Sequence, residues 1–209
     1  MANDLRRELL RAGAGLGVFV LLMAAVVIGR QLGDNESSRE VPQEYMGDEI
    51  VPPRIAPAFN LVDRTGKRLR REDLEGRIVL LGFAYTNCAT ICPLIFRSFL
   101  GVERQLAAKS LDNVALVFIT LDPDLDTPER LQEATLYMGG HWNFLTEDES
   151  ELKEVWKSYG VVREKNAGVV DHSGITYLID THGLLRVRYG GTPQPSVILN
   201  DIEKLIGSS

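Results

Sequence analysis

Residues 78–93 read IVLLGFAYTNCATICP, and this stretch sets the topology. Ile78 to Phe83 is a continuous apolar run without alternation, the mark of a strand covered on both faces. A loop from Ala84 carries Cys88 and Cys92, and Pro93 is placed to lock the first turn of a helix. Helical spacing then follows in Leu94, Phe96, Phe99, Leu100, Val102 and Leu106. Val114 to Leu121 (VALVFITL) is a second buried strand, so residues 78–121 form a β-α-β unit.

On the N-terminal side, Phe59 to Val62 alternates like a strand, and Asp63-Arg64-Thr65-Gly66 reads as a turn into a second short strand. On the C-terminal side, Pro128 to Met138 is helical, with Asp126 or Thr127 as N-cap. Ser150 to Tyr159 is helical, with Leu152, Val155 and Trp156 on one face. Ile175–Ile179 and Leu185–Tyr189 form a hairpin around Asp180-Thr181-His182-Gly183. Residues 197–206 close the chain as an amphipathic helix. This order is that of a thioredoxin-like α/β domain over residues 54–207, a mixed sheet flanked by helices on both faces.

From Ala12 to Gly29 the chain runs AGAGLGVFVLLMAAVVIG, eighteen residues without a charge. At about 1.5 Å per residue the run spans roughly 27 Å, close to the hydrocarbon core of a bilayer. Residues 12–29 therefore read as one transmembrane helix. Arg6, Arg7 and Arg11 precede it and Arg30 follows, which leaves residues 1–11 in the cytoplasm and the rest across the membrane. A cleaved signal peptide is the competing reading; the run is long for one, and no clear A-x-A site follows it. Residues 30–53 are polar and aperiodic, a flexible linker. The expected location is the inner (cytoplasmic) membrane, with the folded domain on the periplasmic side.

The net charge is -6, with 44% apolar and 25% charged residues. Residues 1–30 hold four arginines against two acids, so the exported part carries -8. No nucleic-acid partner is expected, because phosphate binding needs clustered Lys and Arg. An acidic exported domain suits basic partners or cations.

The two cysteines carry the chemistry. Four positions apart on a helical turn, they share one face, where helix N–H groups and the positive dipole end lower a thiol pKa. The loop lies past the C-terminal edge of a buried strand, where open α/β sheets bind ligands. A structural disulfide or two inert thiols is the plainer alternative, and such pairs more often sit inside an element. A dithiol switch needs the two sulfurs alone. A metal site needs a third donor, and thiolates with an imidazole suit copper(I) or zinc. Of three histidines, His182 reads as a solvated turn residue and His141 as structural. His172, in the loop Val169 to Gly174 before a strand, is the one that the fold returns to the cysteines.

Asp63-x-x-Gly66, YTNC-x3-CP at 85–93, LDPDLDT at 121–127, W-x-F-L-T at 142–146 and DHS at 171–173 together resemble the Sco/SenC family. The resemblance covers residues 54–207, and the anchor and linker also fit. Glu147 departs from the family pattern, which commonly has Gly there. The resemblance implies a membrane-anchored, thioredoxin-like copper metallochaperone that helps assemble the copper centre of cytochrome c oxidase. It implies copper, as Cu(I) or Cu(II), on Cys88, Cys92 and His172. Expected partners are a copper-containing oxidase subunit and a copper donor protein. Asp122 and Asp126 match the family's acidic loop. Asp171 can orient the His172 ring or be a solvated loop acid. Asp122 can equally be a turn former, and Asp126 a helix cap. Whether the chain is an enzyme stays open. The alternative function is a thiol–disulfide oxidoreductase or thiol peroxidase using the Cys88/Cys92 redox pair, with Arg97 as a weak candidate to hold a thiolate.

Overall fold

The computed structural model describes residues 45–166, 169–172 and 174–207, with the backbone alone at 164–166 and 169–172. The cytoplasmic segment 1–11, the span 12–29 and the linker up to residue 44 lie outside the described residues. Among the described residues no helix is long and apolar enough to cross a membrane.

The apolar runs form the centre of the sheet. Strands β4 (Ile78–Ala84) and β5 (Val114–Thr120) are buried at every position and pair in parallel, Ile78 opposite Val114 through Ala84 opposite Thr120. Helix α1 (Cys92–Ala108) is their crossover. Helix α2 (Pro128–Met138) links β5 to the next parallel strand, β6 (Asn143–Thr146). The Thr127 side chain accepts the Arg130 N–H at 3.3 Å and is the N-cap of α2. Helix α3 (Glu149–Ser158) follows, and α4 (Pro195–Gly207) ends the domain.

Antiparallel strands extend both sides. β2 (Asn60–Asp63) and β3 (Arg68–Arg70) add beyond β6, while β9 (Ile175–Ile179) and β10 (Leu184–Gly190) add beyond β4. With β1 (Asp48–Ile55) on β10, the order is β1-β10-β9-β4-β5-β6-β2-β3. The mixed α/β, thioredoxin-like arrangement is thus present.

One face of the sheet packs on α1 through rings. Phe99 lies 4.1 Å from Phe118 between centroids, and Phe118 lies 5.4 Å from both Trp142 and Phe144. Burying each Phe stabilises by roughly 1.5–3 kcal/mol. Gly82 permits this contact, because a Cβ there would stand 2.6 Å from the Phe118 ring. The next residue, Phe83, points to the opposite face, as the strand period requires, and meets Tyr159 at 5.5 Å. Helix α3 covers that face, and the Trp156 Nε1–H donates to the Thr120 carbonyl at 3.0 Å.

Two segments differ from the sequence reading. The expected linker reaches residue 53, yet its last part is folded: Tyr45 is buried and Asp48–Ile55 pairs with β10. The buried Asp201 carboxylate fixes its start, accepting N–H bonds from Met46 at 2.7 Å and Gly47 at 2.9 Å and the Tyr189 O–H at 2.9 Å. The second segment is the one expected as a loop around His172. It is a separate two-stranded hairpin of β7 (Arg163–Asn166) and β8 (Val169–His172), with Arg163 opposite His172.

Candidate metal centre

The loop between β4 and α1 runs from the end of a buried parallel strand to the start of a helix. The backbone turns after Ala84, Tyr85 is buried, and the Cys88 N–H reaches the Tyr85 carbonyl at 3.4 Å. Cys92 is the first residue of α1, and Pro93 follows, where the missing N–H costs nothing. The Cys92 N–H donates to Cys88 Sγ at 3.3 Å. A helix N-terminus thus points an amide at the first sulfur, an arrangement that favours negative charge there.

The two thiols are not equivalent. Cys88 keeps 7% exposure, and Cys92 has none. A hydrogen bond to Cys88 and then burial push the Cys92 thiol well above the ordinary thiol range, with the Cys88 and Asp126 charges adding to the effect. Both cysteines are present as thiols.

Asp126 has a different role from a helix cap, since Thr127 caps α2. Its buried carboxylate accepts the Thr86 N–H at 3.2 Å, the Thr86 hydroxyl at 2.5 Å and the Thr120 hydroxyl at 2.5 Å. It clamps the cysteine loop to the end of β5. Burial outweighs these bonds and raises the Asp126 pKa. Asp122 is buried at the head of the same turn, its carbonyl accepting the Leu125 and Asp126 N–H groups at 3.1 and 2.9 Å. It is a turn former that also faces Arg163 at 4.0 Å.

The backbone of His172 is held from two directions. Its cross-strand partner Arg163 is almost wholly buried and donates from Nε to the Leu121 carbonyl at 2.7 Å and from Nη1 to Glu149 at 2.5 Å. The Arg163 guanidinium also lies 4.8 Å from the centre of the Trp156 ring. On the other side, Gly174 packs against the cysteine loop: a Cβ there would stand 2.8 Å from Ile91 Cδ1 and 2.9 Å from the Gly191 carbonyl oxygen. Two residues span at most about 7 Å, so the His172 backbone lies within that distance of the Gly174 backbone. The side chains of His172 and Asp171 lie outside the described residues. Among the described residues no three His, Cys, Asp or Glu side chains converge as a metal group.

The other two histidines stand apart. His141 is exposed, with Nδ1 at 3.3 Å from Glu103. His182 is exposed in the Asp180–Gly183 turn, its N–H donating to Asp180 at 2.9 Å. Arg163 went unnoticed in the sequence, where a cation in the charged run Arg163-Glu164-Lys165 resembles a solvated surface charge. Arg130 was also missed: its Nε lies 3.5 Å from Thr86 Oγ1, two residues from Cys88.

The family model described as SCO1/SenC matches residues 47–207. The SCO2-like protein RP587 of Rickettsia prowazekii is 33% identical over 137 residues, 62% of this chain and 66% of that protein. Copper-bound ScoI of Arabidopsis thaliana superposes with a TM-score of 0.69 at 28% identity, over 75% of this chain and all of that one. BsSco, described through a disulfide switch as a member of the Sco family of cytochrome c oxidase assembly proteins, superposes with a TM-score of 0.66 at 25% identity, over 76% of this chain and 96% of that one. With its family model matched across the whole described domain, this chain belongs to the SCO1/SenC family.

Proposed function

We propose that the chain is a membrane-anchored copper metallochaperone. It binds copper through Cys88, Cys92 and His172 and helps assemble the copper centre of cytochrome c oxidase. The observation that supports this reading is the approach of Gly174 to the cysteine loop. The Cys88 sulfur accepts the N–H of Cys92, the first residue of α1, and Gly174, two residues beyond His172, packs on Ile91 of the same loop. Two thiolates and an imidazole make a low-coordinate site suited to copper(I), able also to hold copper(II). Such a site is open, so the cargo leaves by ligand exchange with an acceptor. A disulfide between Cys88 and Cys92 removes both soft donors, so the redox state gates loading.

Residues 12–29 anchor the chain in the inner membrane and put the domain on the periplasmic side, facing a copper donor and the oxidase subunit. Asp126 braces the loop from behind, and Asp122 faces Arg163. Asp171 orients the His172 ring.

Deletion of the chain from cells should lower assembled oxidase, and wild-type chain should restore it. Cys88→Ser, Cys92→Ser and His172→Ala should not. Full restoration by all three variants overturns the proposal.

The inequality of the thiols favours a second activity, thiol–disulfide exchange. The more exposed Cys88 would meet a partner and the enclosed Cys92 would resolve the mixed disulfide.

A further inference from the structure

A cleft of about 700 Å3 opens between α1 and α2, and Cys88 lies on its wall. Its volume is in the range of small-molecule sites. Phe96, Leu100 and Met138 give it an apolar lining, and Arg97 and Arg130 add two guanidinium groups. Both arginines are exposed, and neither forms an ion pair among the described residues. Glu133 is the single carboxylate of the lining, so the cleft is net cationic on a domain that is net acidic. Of this surface the copper reading uses Cys88 alone. Cys92 has no exposure, so a molecule in the cleft meets Cys88.

We propose that this cleft binds a small anionic peptide disulfide, of the glutathione disulfide class, and presents it to Cys88. This rests on the second activity above and deepens it. The apolar wall takes the peptide stem, and the two guanidinium groups take its carboxylates. The Cys88 thiolate, facing the Cys92 N–H, attacks one sulfur of the bound disulfide. A Cys88–sulfur bond forms, the original S–S bond breaks, and one thiolate leaves and takes a proton from water. Cys92 then loses its proton to water and attacks Cys88 Sγ. The Cys88–Cys92 bond forms, and the second thiolate leaves and is protonated. The chain's dithiol is oxidised by two electrons, and the peptide disulfide is reduced to two thiols.

The test uses the full chain in detergent, stripped of copper by a chelator and reduced. Its oxidation is followed with glutathione disulfide and with uncharged bis(2-hydroxyethyl) disulfide. At low salt the wild type should prefer glutathione disulfide by about tenfold, with a rate that saturates, because two exposed guanidinium groups pair with its carboxylates. Joint Arg97→Ala and Arg130→Ala substitution should abolish the preference and leave alkylation of Cys88 by iodoacetamide unchanged. Lysine at both positions should restore part of it. Cys92→Ser should accumulate one glutathionyl adduct, located on Cys88. Equal wild-type rates with the two disulfides, a preference that survives the double substitution, or an adduct that forms faster on Cys92 in Cys88→Ser each overturns the proposal. Copper titration of the same arginine variant separates this outcome from failure of the carrier reading, which requires its copper binding to be intact.

Discussion

Gly174→Ala is a sharp perturbation, because a single methyl group meets two parts of the site at once. The new Cβ would stand 2.8 Å from Ile91 Cδ1 and 2.9 Å from the Gly191 carbonyl oxygen, against ordinary contacts of about 3.5–4 Å. Ile91 can swing its terminal methyl away. The Gly191 carbonyl cannot move freely, because the Gly191 N–H donates to the Gly174 carbonyl at 2.7 Å. Relief therefore comes from the β8–β9 connection moving outward by at least about half an ångström. Overpacking of this kind costs about 1–3 kcal/mol. In a domain of this size each kcal/mol lowers Tm by about 2–4 °C, so a fall of roughly 2–12 °C is expected by calorimetry. The same shift carries the His172 backbone away from the cysteines. Copper affinity measured in competition with a chromophoric chelator should fall about tenfold, in the range of losses when a metal ligand's supporting contact is removed. Unchanged Tm together with unchanged copper affinity would refute the close approach of Gly174 to the cysteine loop.

Three further outcomes follow from other contacts. Asp201→Ala leaves two backbone N–H groups and the Tyr189 hydroxyl without their acceptor, which should cost about 3 kcal/mol and expose residues 45–55 to limited proteolysis. Arg163→Met keeps the aliphatic stem on Trp156 but loses the Leu121 and Glu149 bonds, so amide exchange across 163–172 should rise and copper affinity should drop. Asp126 has a folded-state pKa raised by burial, so its contribution to stability is fully present below the unfolded carboxylate value and is lost as pH rises through the folded one. Asp126→Asn should flatten that part of the stability–pH profile from urea denaturation, and an unaltered profile would contradict the assignment.

The central β-α-β unit was legible because its two strands are buried on both faces, and such strands read as unbroken apolar runs. The cysteine pair was legible because Pro93 marked where the helix begins. β1 was missed for a physical reason. Pro52 and Pro53 donate no N–H and break the pattern, yet β1 is an edge strand, and its register on β10 shifts between Glu49 and Arg54, around the prolines. The β7–β8 hairpin was missed because REKN and VVDH are too short and polar to alternate. Arg163 was illegible because its partners, the Leu121 carbonyl and Glu149, come together only through the fold. Asp126 was read as ambiguous between cap and site residue; its grip on Thr86 depends on a strand order that spacing alone does not reveal.

The third ligand separates a copper carrier from a plain dithiol. Copper(I) titration of the reduced full chain, wild type beside His172→Ala, should give one copper per chain, with affinity reduced at least about tenfold in the variant. With copper(II), the wild type should show nitrogen hyperfine coupling from one imidazole by pulsed electron paramagnetic resonance, and the variant should not. Equal affinities and identical spectra would contradict the three-ligand site and leave a plain dithiol.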